Sequence, residues 1–72
     1  MFIPSYSGLK YSYLYEPKTG NYLLFSNDYK RQAYLQGDDA RIFDKEIERI
    51  DNLPPPQCND GRLTENVISL YL

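Results

Sequence analysis

Two alternating runs flank the hexapeptide EPKTGN, and they constrain the fold more than anything else in the chain. Leu9–Glu16 places tyrosine at every second position from Tyr11 to Tyr15, the period of a strand with one buried face. Pro17 presets φ and Gly20 tolerates φ > 0, so the segment between the runs is a hairpin turn. Asn21–Ser26 is then the return strand. A loop over Pro17–Gly20 sets Tyr15 opposite Tyr22, Tyr13 opposite Leu24 and Tyr11 opposite Ser26. Asn27-Asp28 is a second turn signal, and Tyr29–Gln36 reads as a third strand, with a short helix from Ser26 or Asn27 as its competitor. A two-residue turn there pairs Leu24 with Arg31 and Tyr22 with Ala33. Residues 1–8, punctuated by Pro4 and Gly8, read as an irregular lead.

Gly37-Asp38-Asp39 opens a helix, because aspartates satisfy free N–H groups and favour the positive end of the helix dipole. Ala40, Phe43, Ile47 and Ile50 share one helical face. Arg41–Asp44, Lys45–Glu48 and Glu46–Arg49 place opposite charges three apart on the other side, each pair worth about 0.2–0.5 kcal/mol. Pro54-Pro55-Pro56 ends the helix. The tract LPPPQCNDG reads as a stiff polyproline II connector; it lacks the PxxP spacing of a ligand for proline-reading domains. In the tail, Leu63, Val67, Leu70 and Tyr71 fit one face of a helix, with a strand over Val67–Tyr71 as the alternative.

These elements define a single α+β domain. It is a three-stranded antiparallel β-meander over 9–36, a helix over 38–52 on one face, a proline-rich connector over 53–61 and a short C-terminal helix over 63–72. One sheet face carries Leu9, Tyr11, Tyr13, Tyr15, Tyr22, Leu24, Tyr29, Ala33 and Leu35, and being the more apolar it takes the helix. The tyrosines on it are read as core, since their rings bury while their hydroxyls reach a partner or water at the rim. The opposite face carries Lys10, Ser12, Leu14, Leu23, Phe25, Lys30, Gln32 and Tyr34. Its apolar cluster of Leu14, Leu23, Phe25 and Tyr34, edged by Lys10 and Lys30, is either covered by the C-terminal segment or left open as an interface. Coverage by the tail is the favoured expectation.

Composition narrows the function. With 72 residues the core is thin, and such domains commonly need a disulfide, a metal or a partner. Cys58 is the single cysteine and there is no histidine, so neither an internal disulfide nor a zinc site is expected. That leaves tight packing or self-association. Nucleophilic catalysis lacks a base, Asp38-Asp39 reads as a cap and not an acid–base pair, and DDARIFDKE lacks the alternating ligands of a calcium loop. No cofactor motif is present. MFIPSYSG has neither a basic region nor a long apolar run, so no signal peptide is expected, and a lone cysteine fits a reducing cytoplasm.

Net charge is −2, which argues against a broad duplex-DNA surface. Residues 1–36 hold four basic and two acidic groups, net +2, whereas residues 37–72 hold four basic and eight acidic, net −4. The leading expectation is a non-enzymatic interaction or accessory protein, of a kind typical of phages and plasmids. It binds a protein partner or itself through Leu14, Leu23, Phe25 and Tyr34, with Lys10 and Lys30, or through a sheet edge. The alternative is single-stranded nucleic-acid binding by tyrosines with Lys10, Lys30 and Arg31.

Overall fold

The computed structural model describes residues 1–53 and 61–72. The order is β1 (Ile3–Ser7), β2 (Tyr11–Glu16), β3 (Asn21–Ser26), β4 (Gln32–Leu35), α1 (Asp38–Asp51) and α2 (Gly61–Tyr71). The four strands form one antiparallel sheet in the order β1-β2-β3-β4. The sheet is therefore a four-stranded meander, one strand more than the sequence suggests. The proline-rich connector and Cys58 lie outside the described residues. Among the described residues no helix is long and apolar enough to cross a membrane.

The β2–β3 hairpin has the expected register, with Tyr15 opposite Tyr22, Tyr13 opposite Leu24 and Tyr11 opposite Ser26. Its turn closes where Gly20, at φ 77°, donates its N–H to the Glu16 carbonyl at 2.8 Å. The third strand begins later than expected, at Gln32, and the β3–β4 pairing is offset by two residues: Tyr22 faces Leu35 and Leu24 faces Ala33. An even offset keeps every β4 side chain on its expected face. The offset arises because the turn is longer than Asn27-Asp28. Ser26 N–H reaches the Arg31 carbonyl at 3.0 Å, Tyr29 N–H bonds the Ser26 carbonyl at 2.8 Å, and Tyr29 itself takes φ 61°.

The first residues are not an irregular lead. Ile3–Ser7 pairs with β2 as an edge strand, interrupted by a register shift between Pro4 and Tyr6. Pro4 is tolerated there because an edge strand leaves one side of its backbone unpaired. Tyr6 stacks on Tyr13 with centroids 5.6 Å apart and donates its hydroxyl to the Gly61 carbonyl at 3.4 Å.

Both helices lie on the Tyr13/Tyr22/Leu24 face. Ala40, Phe43, Ile47 and Ile50 are all buried, as their spacing requires. Fully buried Phe43 is the centre: Tyr13, Tyr22 and Tyr71 meet its ring at centroid distances of 5.3, 4.9 and 5.7 Å in edge-on geometry. Each such aromatic pair adds about 0.5–1.5 kcal/mol beyond its area. Tyr11 and Tyr15 pack half-buried against this cluster, so the tyrosine stripe of β2 and β3 builds the core. Leu9 and Tyr29 do not join it. Leu9 is 94% exposed in the loop before β2, and Tyr29, turned over by its positive φ, is 81% exposed.

The helix caps differ in detail. Gly37 is the N-cap, with no side-chain cap bond. Arg41 pairs with Asp38 at 2.8 Å instead of Asp44, while Glu46–Arg49 pairs as expected at 2.6 Å. Asp44 instead accepts from Tyr22.

The tail is a helix, in a different phase and place from those expected. Its buried residues are Thr64 and Ile68; Leu63, Val67 and Tyr71 are half-buried and Leu70 is 84% exposed. Ile68 joins the Phe43 cluster, so α2 stacks beside α1 and does not cover the opposite sheet face. Glu65 fixes this placement. Its Oε1 accepts the Lys10 N–H at 2.8 Å and the Tyr11 N–H at 3.3 Å. The β1–β2 loop can approach α2 this closely because residue 8 is glycine: a Cβ there would fall 2.6 Å from Tyr6 Oη and 2.8 Å from the Tyr11 carbonyl oxygen.

Candidate functional site

With both helices on one face, the opposite sheet face is open. Alternation places Leu14 of β2, Leu23 and Phe25 of β3 and Tyr34 of β4 on it, and the pairs Leu14–Leu23 and Leu23–Tyr34 bring three of them into one row. Leu14, Leu23 and Phe25 are half-buried and Tyr34 is 48% exposed. Neither helix and no further strand covers this face among the described residues.

Two rings that sequence alone did not assign here extend the row at opposite ends. Phe2 meets Tyr34 edge-on at 5.9 Å, and Tyr29 stacks on Phe25 at 5.7 Å, nearly parallel at 12°. Tyr29 was assigned to the core face by alternation, but alternation does not carry across a positive φ. Between Phe25 and the leucines lies a groove of about 200 Å³ lined by Leu14, Leu23, Phe25, Tyr29, Arg31 and Gln32.

Several polar groups on and beside this face bond one another. Asn21 donates from Nδ2 to the Tyr34 hydroxyl at 2.7 Å, which fixes that ring against the sheet. The Ser12 hydroxyl donates to Asn27 Oδ1 at 2.7 Å, and Asn27 Nδ2 donates to the Gly8 carbonyl at 2.8 Å. These bonds tie the face to the flanking loops and leave Leu14, Leu23 and Phe25 as its apolar centre.

The expected cationic edge is redistributed. Arg31, not Lys10 or Lys30, lines the apolar groove. Lys10 and Arg31 share a second recess of about 320 Å³ with Leu9, Tyr11 and the Ser26–Asp28 turn. Lys30 is exposed on the β3–β4 turn, where its N–H donates to Asp28 Oδ1 at 3.0 Å. The Ser26 hydroxyl first, and then that Lys30 amide, hold the Asp28 carboxyl below its ordinary range.

Among the described residues, no group of three or more Cys, Asp or Glu side chains is placed to hold a metal ion. Between sheet and helix, the Tyr22 hydroxyl bonds the Asp44 carboxylate. Burial first, and then that bond, push the phenol well above its ordinary value, so the hydroxyl keeps its proton further into the alkaline range. No protein-family model, no curated protein and no solved structure matches the chain.

Proposed function

We propose that this chain is a non-enzymatic accessory protein of the cytoplasm that acts by binding another protein, or itself, through the open sheet face. The observation that carries the reading is the one-sided layering: both helices stack on the tyrosine face, while Leu14, Leu23, Phe25 and Tyr34 stay uncovered. Contiguous apolar surface of this kind on a small domain marks an interaction site. The strained turn adds support. Tyr29 holds φ 61°, a conformation disfavoured for bulky residues, and in doing so lays its ring on Phe25. Such conformations persist where they position a functional group.

The direct test is Phe25→Asp. Phe25 is half-buried and outside the Phe43 core, so the variant is expected to keep its circular dichroism spectrum and to lose about 1–2 kcal/mol of stability without unfolding. It is also expected to lose binding through that face, followed by capture of a binding protein. A parent that stays monomeric and captures nothing, with a variant that unfolds, sinks the reading.

A second reading is single-stranded nucleic-acid binding. The exposed Tyr29 ring beside Lys30 and Arg31, with Lys10 lining the neighbouring recess, supports it. The tyrosines available to bases are then Tyr29 and Tyr34, because Tyr13 and Tyr22 are buried. Titration of a fluorescent oligonucleotide at two salt concentrations decides it, since phosphate contacts make affinity fall with salt.

A further inference from the structure

The two edges of the sheet are not alike. β1 is blunted: Pro4 has no N–H to donate, and the register shift beside it breaks the ladder. β4, Gln32–Leu35, carries no proline, no glycine and no charge. The Ser26 N–H to Arg31 carbonyl bond fixes which β4 groups face β3. Hydrogen-bonded pairs alternate along an antiparallel ladder, so Ala33 and Leu35 bond inward, and the N–H and C=O of Gln32 and Tyr34 point away from the sheet. The charges at the two ends of this edge are opposite. Lys30 and Arg31 precede β4, and Asp39 and Asp38, the latter also paired with Arg41, follow it, all four exposed.

We propose that β4 is the docking edge for a second copy of this chain, paired antiparallel across a two-fold axis so that two sheets become one. This rests on the reading of the chain as an association module, but it uses backbone groups at the sheet rim and not the apolar face. An antiparallel pairing of identical strands brings the start of each to the end of the other. Centred on Tyr34, it sets Gln32 opposite Gln36 of the second copy and brings Lys30 and Arg31 toward Asp38 and Asp39 of the second copy. The edge is therefore complementary to itself in charge as well as in hydrogen bonding, as an isologous contact requires. Parallel pairing, or pairing to β1, lacks this match. Because Tyr34 lies on the open face, the union also joins the two apolar rows at the axis.

The test uses two charge-reversed chains, Lys30→Asp and Asp38→Lys, each checked for native circular dichroism. Sedimentation equilibrium of the parent is expected to show a monomer–dimer transition. Each single variant is expected to dimerise about tenfold more weakly, since two symmetric attractions become repulsions. An equimolar mixture of the two variants is expected to recover dimer, because each chain then supplies the charge that the other needs. Amide exchange is expected to slow at Gln32 and Tyr34 as concentration rises.

A parent that is monomeric at all concentrations overturns the proposal. So does a dimer indifferent to both substitutions, or a mixture that recovers nothing. Phe25→Asp separates the two surfaces: it leaves the β4 dimer intact if the edge carries it. If Phe25→Asp alone abolishes the dimer, the face reading survives and the edge proposal falls.

Discussion

The Tyr22 hydroxyl donates a 2.6 Å hydrogen bond to Asp44 Oδ1, joining the centre of the sheet to the outer side of α1. Burial, and then the Asp44 bond and charge, raise the phenol pKa above its ordinary value near 10. A group whose folded value lies above its unfolded value stabilises fully below the unfolded value, and that stability is lost as pH rises through the folded one. Tyr6, Tyr13 and Tyr71 shift in the same direction, chiefly by burial. The protein is therefore expected to lose stability above about pH 10. Tyr22→Phe should cost about 1 kcal/mol at neutral pH and flatten part of that alkaline decline. Urea melts from neutral to strongly alkaline pH measure both; an unchanged slope in the variant would show that Tyr22 is not the coupled group.

Ile68 and Leu70 sit two residues apart on α2 and should behave in opposite ways. Ile68 is fully buried beside Phe43, whereas Leu70 is 84% exposed. Ile68→Ala is expected to cost about 2–5 kcal/mol, against about 0.5 kcal/mol or less for Leu70→Ala. A domain of 72 residues holds only about 4–11 kcal/mol in all, so the first variant should melt far earlier or be unfolded at 37 °C. Similar melting points for the two would place α2 in another rotation.

Tyr29→Asn is expected to keep or raise stability. Asparagine adopts positive φ more readily, relieving about 1 kcal/mol of backbone strain, while the exposed stack on Phe25 is worth about 0.5 kcal/mol. The same change strips a ring from the open face, so association through that face should weaken while the melting point holds. A clear loss of stability would mean that the Tyr29 ring is a structural support and not part of a binding surface.

The elements differ in how far they can be read from sequence, and for physical reasons. The Tyr11–Glu16 and Asn21–Ser26 hairpin is legible to the residue because Pro17 and Gly20 fix the turn and two side-chain alternations agree across it. The β3–β4 turn is not, because Tyr29 at φ 61° lengthens the loop with no glycine to announce it; only an even offset preserved the faces of Ala33, Tyr34 and Leu35. β1 is hidden because the shift between Pro4 and Tyr6 breaks its period within five residues. In α2 the stripe of Leu63, Val67, Leu70 and Tyr71 is only partly inward: packing beside Phe43 centres the buried side on Thr64 and Ile68, with Leu63, Val67 and Tyr71 flanking it and Leu70 turned out. Leu14, Leu23, Phe25 and Tyr34 were legible as a common face, whereas Phe2 and Tyr29, which arrive from outside the strands, were not.

Stacking both helices on one side has a further consequence for how such a chain can change over generations. The sheet's buried contribution to the core is Tyr13, Tyr22, Leu24 and Leu35, with Tyr6, Tyr11, Tyr15 and Ala33 packed around them, so the cost of substitution is greatest on that face. Among the alternate residues Ser12 and Asn21 are buried as well, whereas half-buried Leu14, Leu23 and Phe25 and exposed Tyr34 are spared part of that cost. If the open face binds as proposed, selection on folding and selection on recognition act on interleaved and largely separate sets of positions. Leu14, Leu23, Phe25 and Tyr34 can then change at less cost to the fold than Tyr13, Tyr22 and Leu24 between them.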